Sequence, residues 1–217
     1  MTESEAAVTE PVEVFLASRN AKKIAEMERI LGSVLPGLRV LGLDDVAAYD
    51  EPVEDQPDFA GNALVKARAG LAATGLPSLA DDSGLCVDAL NGMPGVLSAR
   101  WSGPPKDDER NNDLLLAQLE DVPDDRRGAE FRCAVALVLT DGHGQTVEHV
   151  VEGVMRGRVL RERRGTAGFG YDPLFVPDEQ DGDLTSAEMT AEQKDAISHR
   201  GMSLRAIAPI VVTSFAG

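Results

Sequence analysis

Two adjacent carboxylates interrupt an otherwise apolar stretch, "SLADDSGLCVDAL" at residues 78 to 90. Leu79 and Ala80 lead into Asp81 and Asp82, Ser83 and Gly84 follow, and the apolar pattern resumes at Leu85. Neighbouring carboxylates repel each other unless a cation or a hydrogen-bond donor compensates. The pair therefore points to metal-assisted or general-base chemistry, or else to a turn in which Asp82, Ser83 and Gly84 satisfy local backbone. The pattern predicts "SLA" as a short strand with the acids just past its end, where α/β sheets build their ligand sites. The acidic loop 50 to 58 supplies Glu51, Glu54, Asp55 and Asp58. One of these beside Asp82 would complete the oxygen ligands that magnesium takes together with substrate phosphates and water. Spacing alone does not choose among them.

Three further stretches carry candidate chemistry. "SRNAKK", 18 to 23, lies between a predicted strand and a predicted helix, where free N–H groups and the helix dipole favour phosphate. It is not a P-loop, since G-x-x-x-x-G-K-[ST] is absent, and exposed lysines at a helix start also serve as plain solvated charge. "GFGYDP", 168 to 173, sets aromatic rings on flexible backbone beside a carboxylate, suited to stacking on a planar base with a hydrogen bond to its edge. The alternative is a tight turn with Phe169 and Tyr171 packed in the core. "SHRG", 198 to 201, places His199 beside Arg200, five residues after Lys194. A single histidine at a helix start is commonly structural, and no Cys/His metal pattern is present.

The elements that must position these residues are legible from periodicity. Residues 12 to 17 predict a strand and Ala21 to Leu31 a helix with Asn20 as N-cap; 38 to 43 predict a second strand. The acidic, proline-containing 44 to 58 reads as a loop. Residues 59 to 73 carry helical apolar spacing at 60, 63, 64, 67 and 71, closed by Gly75, and 107 to 119 predict another helix. "AEFRCAVALVLT" and "QTVEHVVEGVMRG", joined by "DGHG", predict a long antiparallel hairpin. A glycine-rich passage follows, then a helical region opening on a capping-box pattern from Thr190 to Gln193. Alternating α and β followed by a hairpin argues for an α/β fold with a mixed sheet and two lobes.

Bulk properties narrow the function classes. The net charge of −16 over 217 residues opposes binding to nucleic acid or to an anionic membrane, leaving a small phosphorylated ligand held by local cations. No run approaches a bilayer span. The opening "MTESEAAVTEP" lacks the marks of a signal peptide, so a flexible acidic tail at 1 to 11 and a cytoplasmic setting are expected. Cys86 and Cys133, both in apolar surroundings, read as reduced thiols.

In order along the chain, "LASRNAKKIAEM", "FAGNALVKA", "ADDSGLCVDALNGMPGVLSARWSG", "GFGYDPLFVP" and "KDAISHRG" resemble the inosine triphosphate pyrophosphatase family over residues 12 to 207. The resemblance implies an elongated α/β fold with a mixed central sheet flanked by helices, two lobes around a nucleotide-binding cleft, and a homodimer, built on a single catalytic domain 12 to 217. It implies hydrolysis of inosine, deoxyinosine and xanthosine triphosphates to monophosphate and pyrophosphate with magnesium. Asp82 matches the family's general base and metal position, and Ser83 a substrate contact. Ser18, Arg19, Asn20, Ala21, Lys22 and Lys23 match the phosphate-cradling segment. Phe169, Gly170, Tyr171, Asp172, Lys194, His199 and Arg200 match nucleotide-binding positions, with Arg200 expected to donate to the base. The second metal carboxylate, five residues before Phe59, falls on Glu54, with Glu51 and Asp55 as rivals. Gly61 departs from the family's usual Glu. Two other readings are a pyrophosphatase for other modified nucleotides and a nucleotide sensor without turnover.

Overall fold

The computed structural model describes residues 12 to 215, so the expected acidic tail at 1 to 11 lies outside the described residues. Strand β1 (Glu13–Leu16) leads through the polar turn into helix α1 (Ala21–Gly32), whose N-cap Asn20 accepts from the Lys22 backbone N–H at 3.0 Å. Strand β2 (Arg39–Leu41), the loop through residue 58 and helix α2 (Phe59–Thr74) follow; Gly75 ends α2 at a φ of 69°. Strand β3 (Ser78–Val87) precedes a 3-10 segment (Gly95–Arg100) and helix α3 (Asp108–Gln118). The predicted hairpin is β4 (Gly128–Thr140) and β5 (Thr146–Val159), and β6 (Phe175–Pro177) emerges from the glycine-rich passage. The final helical region is two helices, α4 (Ala191–Ile197) with its capping box and α5 (His199–Phe215).

The six strands form one mixed sheet in the order β2-β1-β3-β4-β5-β6, with β1 parallel to both its neighbours and the remaining pairs antiparallel. Helices α1 and α5 cover one face through Met27, Leu31, Leu204 and Ile207, and α2 covers the other through Phe59, Ala63 and Ala67. A separate apolar cluster sits toward the far end of the hairpin, where Leu85, Phe131, Tyr171 and Phe175 pack with Leu115 of α3 and Leu119, the residue that caps its C-terminus. Apolar cores at the two ends of β3 and β4 correspond to the expected two lobes. Among the described residues no helix is long and apolar enough to cross a membrane.

One expectation is corrected. The stretch predicted as "SLA" plus a turn is a ten-residue strand, and Asp81, Asp82 and Ser83 lie within it, paired with Val135, Ala134 and Cys133 of β4. Turn-forming residue types yield here to continuous pairing with a long, apolar neighbour. On β3 the four residues Asp81 to Gly84 stand between Leu79 of one apolar cluster and Leu85 of the other.

Candidate active site

Period-two alternation along β3 decides what each acid can do. Asp81 points to the α1/α5 face, where its carboxylate accepts from Lys23 Nζ at 2.8 and 3.0 Å and from Arg200 Nε at 3.2 Å. Asp82 points to the opposite face, where Asn62 Nδ2 donates to it at 2.9 Å and Lys66 Nζ lies 3.8 Å away. The two carboxylates therefore do not share a site. Beyond Leu79 the β1 side of β3 carries no strand, because β1 pairs only through Phe15↔Ser78 and Leu16↔Leu79. This open edge lies beside the polar turn after β1, whose Ala17 N–H bonds the Leu79 carbonyl.

Electrostatics separate the two acids further. Burial by itself would push Asp81 up, but Lys23, Arg200 and Lys66 outweigh it and hold the carboxyl well below the usual range. Asp82 is shifted the other way: burial raises it, Glu54 and Asp81 add to that, and Lys66 and the Asn62 hydrogen bond only partly oppose. Asp81 is a fixed counter-ion, whereas Asp82 is a poorly compensated carboxylate suited to taking a proton or binding a cation.

The loop acids sort by position. Lys66 Nζ lies 3.5 Å from Glu54 Oε1, so Glu54 and Asp82 flank one ammonium. The Glu54 carbonyl accepts from Arg100 Nη2 at 3.1 Å, and the Gln56 N–H donates to Asn62 Oδ1 at 3.0 Å, which pins the loop to α2. Glu51 instead pairs with Arg19 in solvent, Asp58 caps α2 through the Gly61 N–H, and Asp55 is exposed. At Gly61 a Cβ would meet Gln56 Cβ at 2.8 Å, so the missing side chain lets the loop close on the helix. Two carboxylates with a competing ammonium suit a hard divalent cation completed by substrate phosphate and water.

Of the polar turn, Lys23 reaches Asp81, while Lys22 Nζ donates across the cleft to the Gly168 carbonyl at 3.2 Å. Ser18 Oγ accepts from the Asn20 N–H, and Arg19 turns outward to Glu51 and Asp44, away from the site. Ala21 opens α1 and offers no side-chain chemistry.

A cavity of about 110 Å³ brings together Ser83, Phe169, Asp172, Lys194, His199 and Arg200. Gly170 and Tyr171 also line it, but the two aromatic rings divide. Phe169 is 39% exposed, with Lys194 Nζ 5.2 Å from its centroid, whereas Tyr171 is buried and donates to the Ser98 carbonyl at 2.9 Å. Asp172 accepts from Lys194 at 2.5 Å and from the Phe169 N–H at 2.9 Å. His199 stacks on Phe131 at 4.9 Å, and burial together with Arg200 and Lys194 keeps it neutral, well below its ordinary value. Its Nδ1 has no partner among the described residues. Arg200 uses Nε on Asp81, Nη1 on Glu26 and Nη2 on Ser83, so each of its three nitrogens is already engaged.

Sequence reasoning passed over Asn62, Lys66 and Glu26. Asn62 and Lys66 stand four apart beside the apolar stripe of α2, and Glu26 stands three after Lys23 on α1. Polar pairs at that spacing on a packed face were the available signal. Neither cysteine competes as a nucleophile: both are free, and burial pushes the Cys133 thiol up to about 12.

Gly84 joins the site to the 3-10 segment. A Cβ there would meet the Gly95 carbonyl oxygen and Ser98 Oγ, each at 2.4 Å, and Ser98 Oγ also accepts from the Leu85 N–H. Gly84→Ala is expected to cost about 1–3 kcal/mol through overpacking against backbone, read as a lower urea midpoint. An unchanged midpoint would show that the segment moves freely.

The chain as a whole is similar to known proteins. Residues 14–210 match the model of the Ham1 family. A protein of Nocardia farcinica named dITP/XTP pyrophosphatase is 59% identical over 197 residues, covering 90% of this chain and 93% of that one. A solved nucleoside-triphosphatase / dITP/XTP pyrophosphatase of Mycobacterium abscessus is 53% identical with a TM-score of 0.72, covering 91% of this chain and 99% of that one. A HAM1 protein structure from Coxiella burnetii is 36% identical with a TM-score of 0.82, covering 93% and 99%.

Proposed function

Because the chain belongs to the Ham1 family, we propose that it hydrolyses non-canonical purine nucleoside triphosphates, those of inosine, deoxyinosine and xanthosine, to the monophosphate and pyrophosphate. The observation that carries this reading is the pair Asp82 and Glu54 at an open strand edge, between a cation-bearing turn and an aromatic-lined cavity. Asp82 accepts the proton of the attacking water as its oxygen bonds to the α-phosphorus and the bond to the β-phosphate oxygen breaks. Lys23, Lys194 and the first N–H groups of α1 offset the developing charge, and Ser83 contacts the substrate. Phe169 stacks on the base, while Asp172, Lys194, His199 and Gly170 surround its edge.

Glu54 and Asp82, the two carboxylates that flank Lys66 Nζ, would hold the divalent cation, and carboxylate oxygens are the donors magnesium takes. When bound, that cation supplies Lewis-acid polarisation of phosphate oxygens and lowers the pKa of its water. Glu54→Gln should raise the magnesium concentration needed for half-maximal rate by about tenfold, whereas Glu51→Gln and Asp55→Asn should not shift it. Equal shifts in all three would remove the assignment. Direct binding of manganese, followed by its paramagnetic resonance without substrate, gives the same ranking independently of turnover.

We read residues 12 to 217 as one catalytic domain acting in the cytoplasm as a homodimer, for which light scattering is the check. Pyrophosphate release from inosine, xanthosine, adenosine and guanosine triphosphates, with and without magnesium, tests the whole proposal. Release from the first two in excess of the others supports it; binding without release would make the protein a nucleotide sensor.

A further inference from the structure

The Phe169 ring is presented by a loop tied at its own N–H to Asp172, at the Gly168 carbonyl to Lys22, and at Gly170 to α3. Gly168 and Gly170 flank it with φ values of 78° and 61°, left-handed backbone that glycine adopts without penalty and that leaves the loop intrinsically free. Both polar groups of Gly170 are captured by α3: its N–H donates to Asp108 Oδ2 at 2.7 Å, and its carbonyl accepts from Asn112 Nδ2 at 3.0 Å. Asp108 and Asn112 are four residues apart and so share one face of the helix.

Asn112 is only 1% exposed, and its Oδ1 has no partner among the described residues. A buried amide oxygen without a donor is destabilising; leucine would shed it but also remove the donor to the Gly170 carbonyl. What asparagine contributes in return is its donor to Gly170.

We propose that Asn112 and Asp108 are positioning residues for base recognition: they clamp Gly170 so that the Phe169 ring is held in place before the nucleotide arrives. The inference rests on the nucleotide-binding reading above. Without the clamp, the Asp172 and Lys22 contacts are left to hold the glycine-flanked ring, and affinity falls by the extra entropy that binding must remove. On that reading the reacting phosphate is at Asp82, on another element, so the chemical step should be spared.

Asn112→Leu and Asp108→Ala in the full chain test this. Each should weaken binding of inosine triphosphate about five- to tenfold, in KM and in calorimetric Kd without divalent metal, with kcat within about twofold of wild type. Binding of inorganic triphosphate, which has no base, should stay unchanged. Asn112→Leu, in which the shed oxygen and the lost donor offset each other, should melt close to wild type, and Asp108→Asn, which keeps an acceptor, should recover most of the affinity lost in Asp108→Ala. Unchanged nucleotide binding, or a parallel loss for inorganic triphosphate, overturns the proposal. Should Asn112→Leu fail to fold, Asp108 at the exposed start of α3 carries the same test. Wild-type protein that binds the nucleotide without releasing pyrophosphate sinks the enzymatic reading and leaves the clamp to be judged by Kd alone.

Discussion

Asp82→Asn should lose roughly 10³-fold or more of kcat for inosine triphosphate at saturating magnesium while melting no lower than wild type. The loss follows from removing both a proton acceptor and a charged ligand at one position. The retained stability follows from the direction of the Asp82 shift. Its carboxyl is raised by burial, with Glu54 and Asp81 adding, so ionised Asp82 opposes folding at neutral pH. Asparagine removes that cost and still offers an oxygen to Asn62 Nδ2. A site kept at the expense of stability is the expected mark of function. If Asp82→Asn retains near wild-type kcat, the proton-accepting role belongs elsewhere.

Arg200→Ala should cost about 3–5 kcal/mol of stability, because it removes one member of a buried ionic cluster and leaves Asp81 and Glu26 undercompensated. The pH dependence carries a sign that can be checked. In wild type the Asp81 carboxyl is depressed, so its contribution is present above the unfolded pKa and is lost as pH falls through the folded one. Removing Arg200 raises the folded value. The stability difference between the proteins should therefore be full at neutral pH and shrink as pH drops through the variant's Asp81 pKa, measured without added metal. Selectivity separates two roles. With Nε, Nη1 and Nη2 each committed to Asp81, Glu26 or Ser83, and only the second N–H of Nη1 and of Nη2 left over, the rates for inosine and adenosine triphosphates should fall together. A narrowed ratio would instead make Arg200 a reader of the 6-oxo group, as the sequence reading expected.

Much of the fold was legible because its signals are local. Asn20 before an apolar stripe, Gly75 after one, the Thr190 to Gln193 box and the "DGHG" turn each encode their structure within a few residues, and the elements appear where those signals place them. The family was legible for a different reason: five motifs in fixed order, with the acidic motif unbroken. Strand β3 was misjudged because Asp, Ser and Gly are turn formers, and only β4, thirteen residues long and largely buried, makes them a strand.

By itself, then, the sequence determined the order of the elements, the mixed α/β class and the identity of the acidic motif, all properties of short windows. What the tertiary structure decided is how those residues are partnered. It put Asp81 and Asp82 on opposite faces, since alternation applies only once the strand is known to run through them. It set Glu54, and not Glu51 or Asp55, beside Lys66, since the path of an aperiodic loop is set by distant anchors, here Arg100 on its carbonyl and Asn62 on the following turn. It engaged Arg200 with Asp81, Glu26 and Ser83, and it introduced Lys66 between two carboxylates, because ion pairs of residues far apart in the chain form only when packing of the surrounding apolar faces brings the charges within a few ångströms.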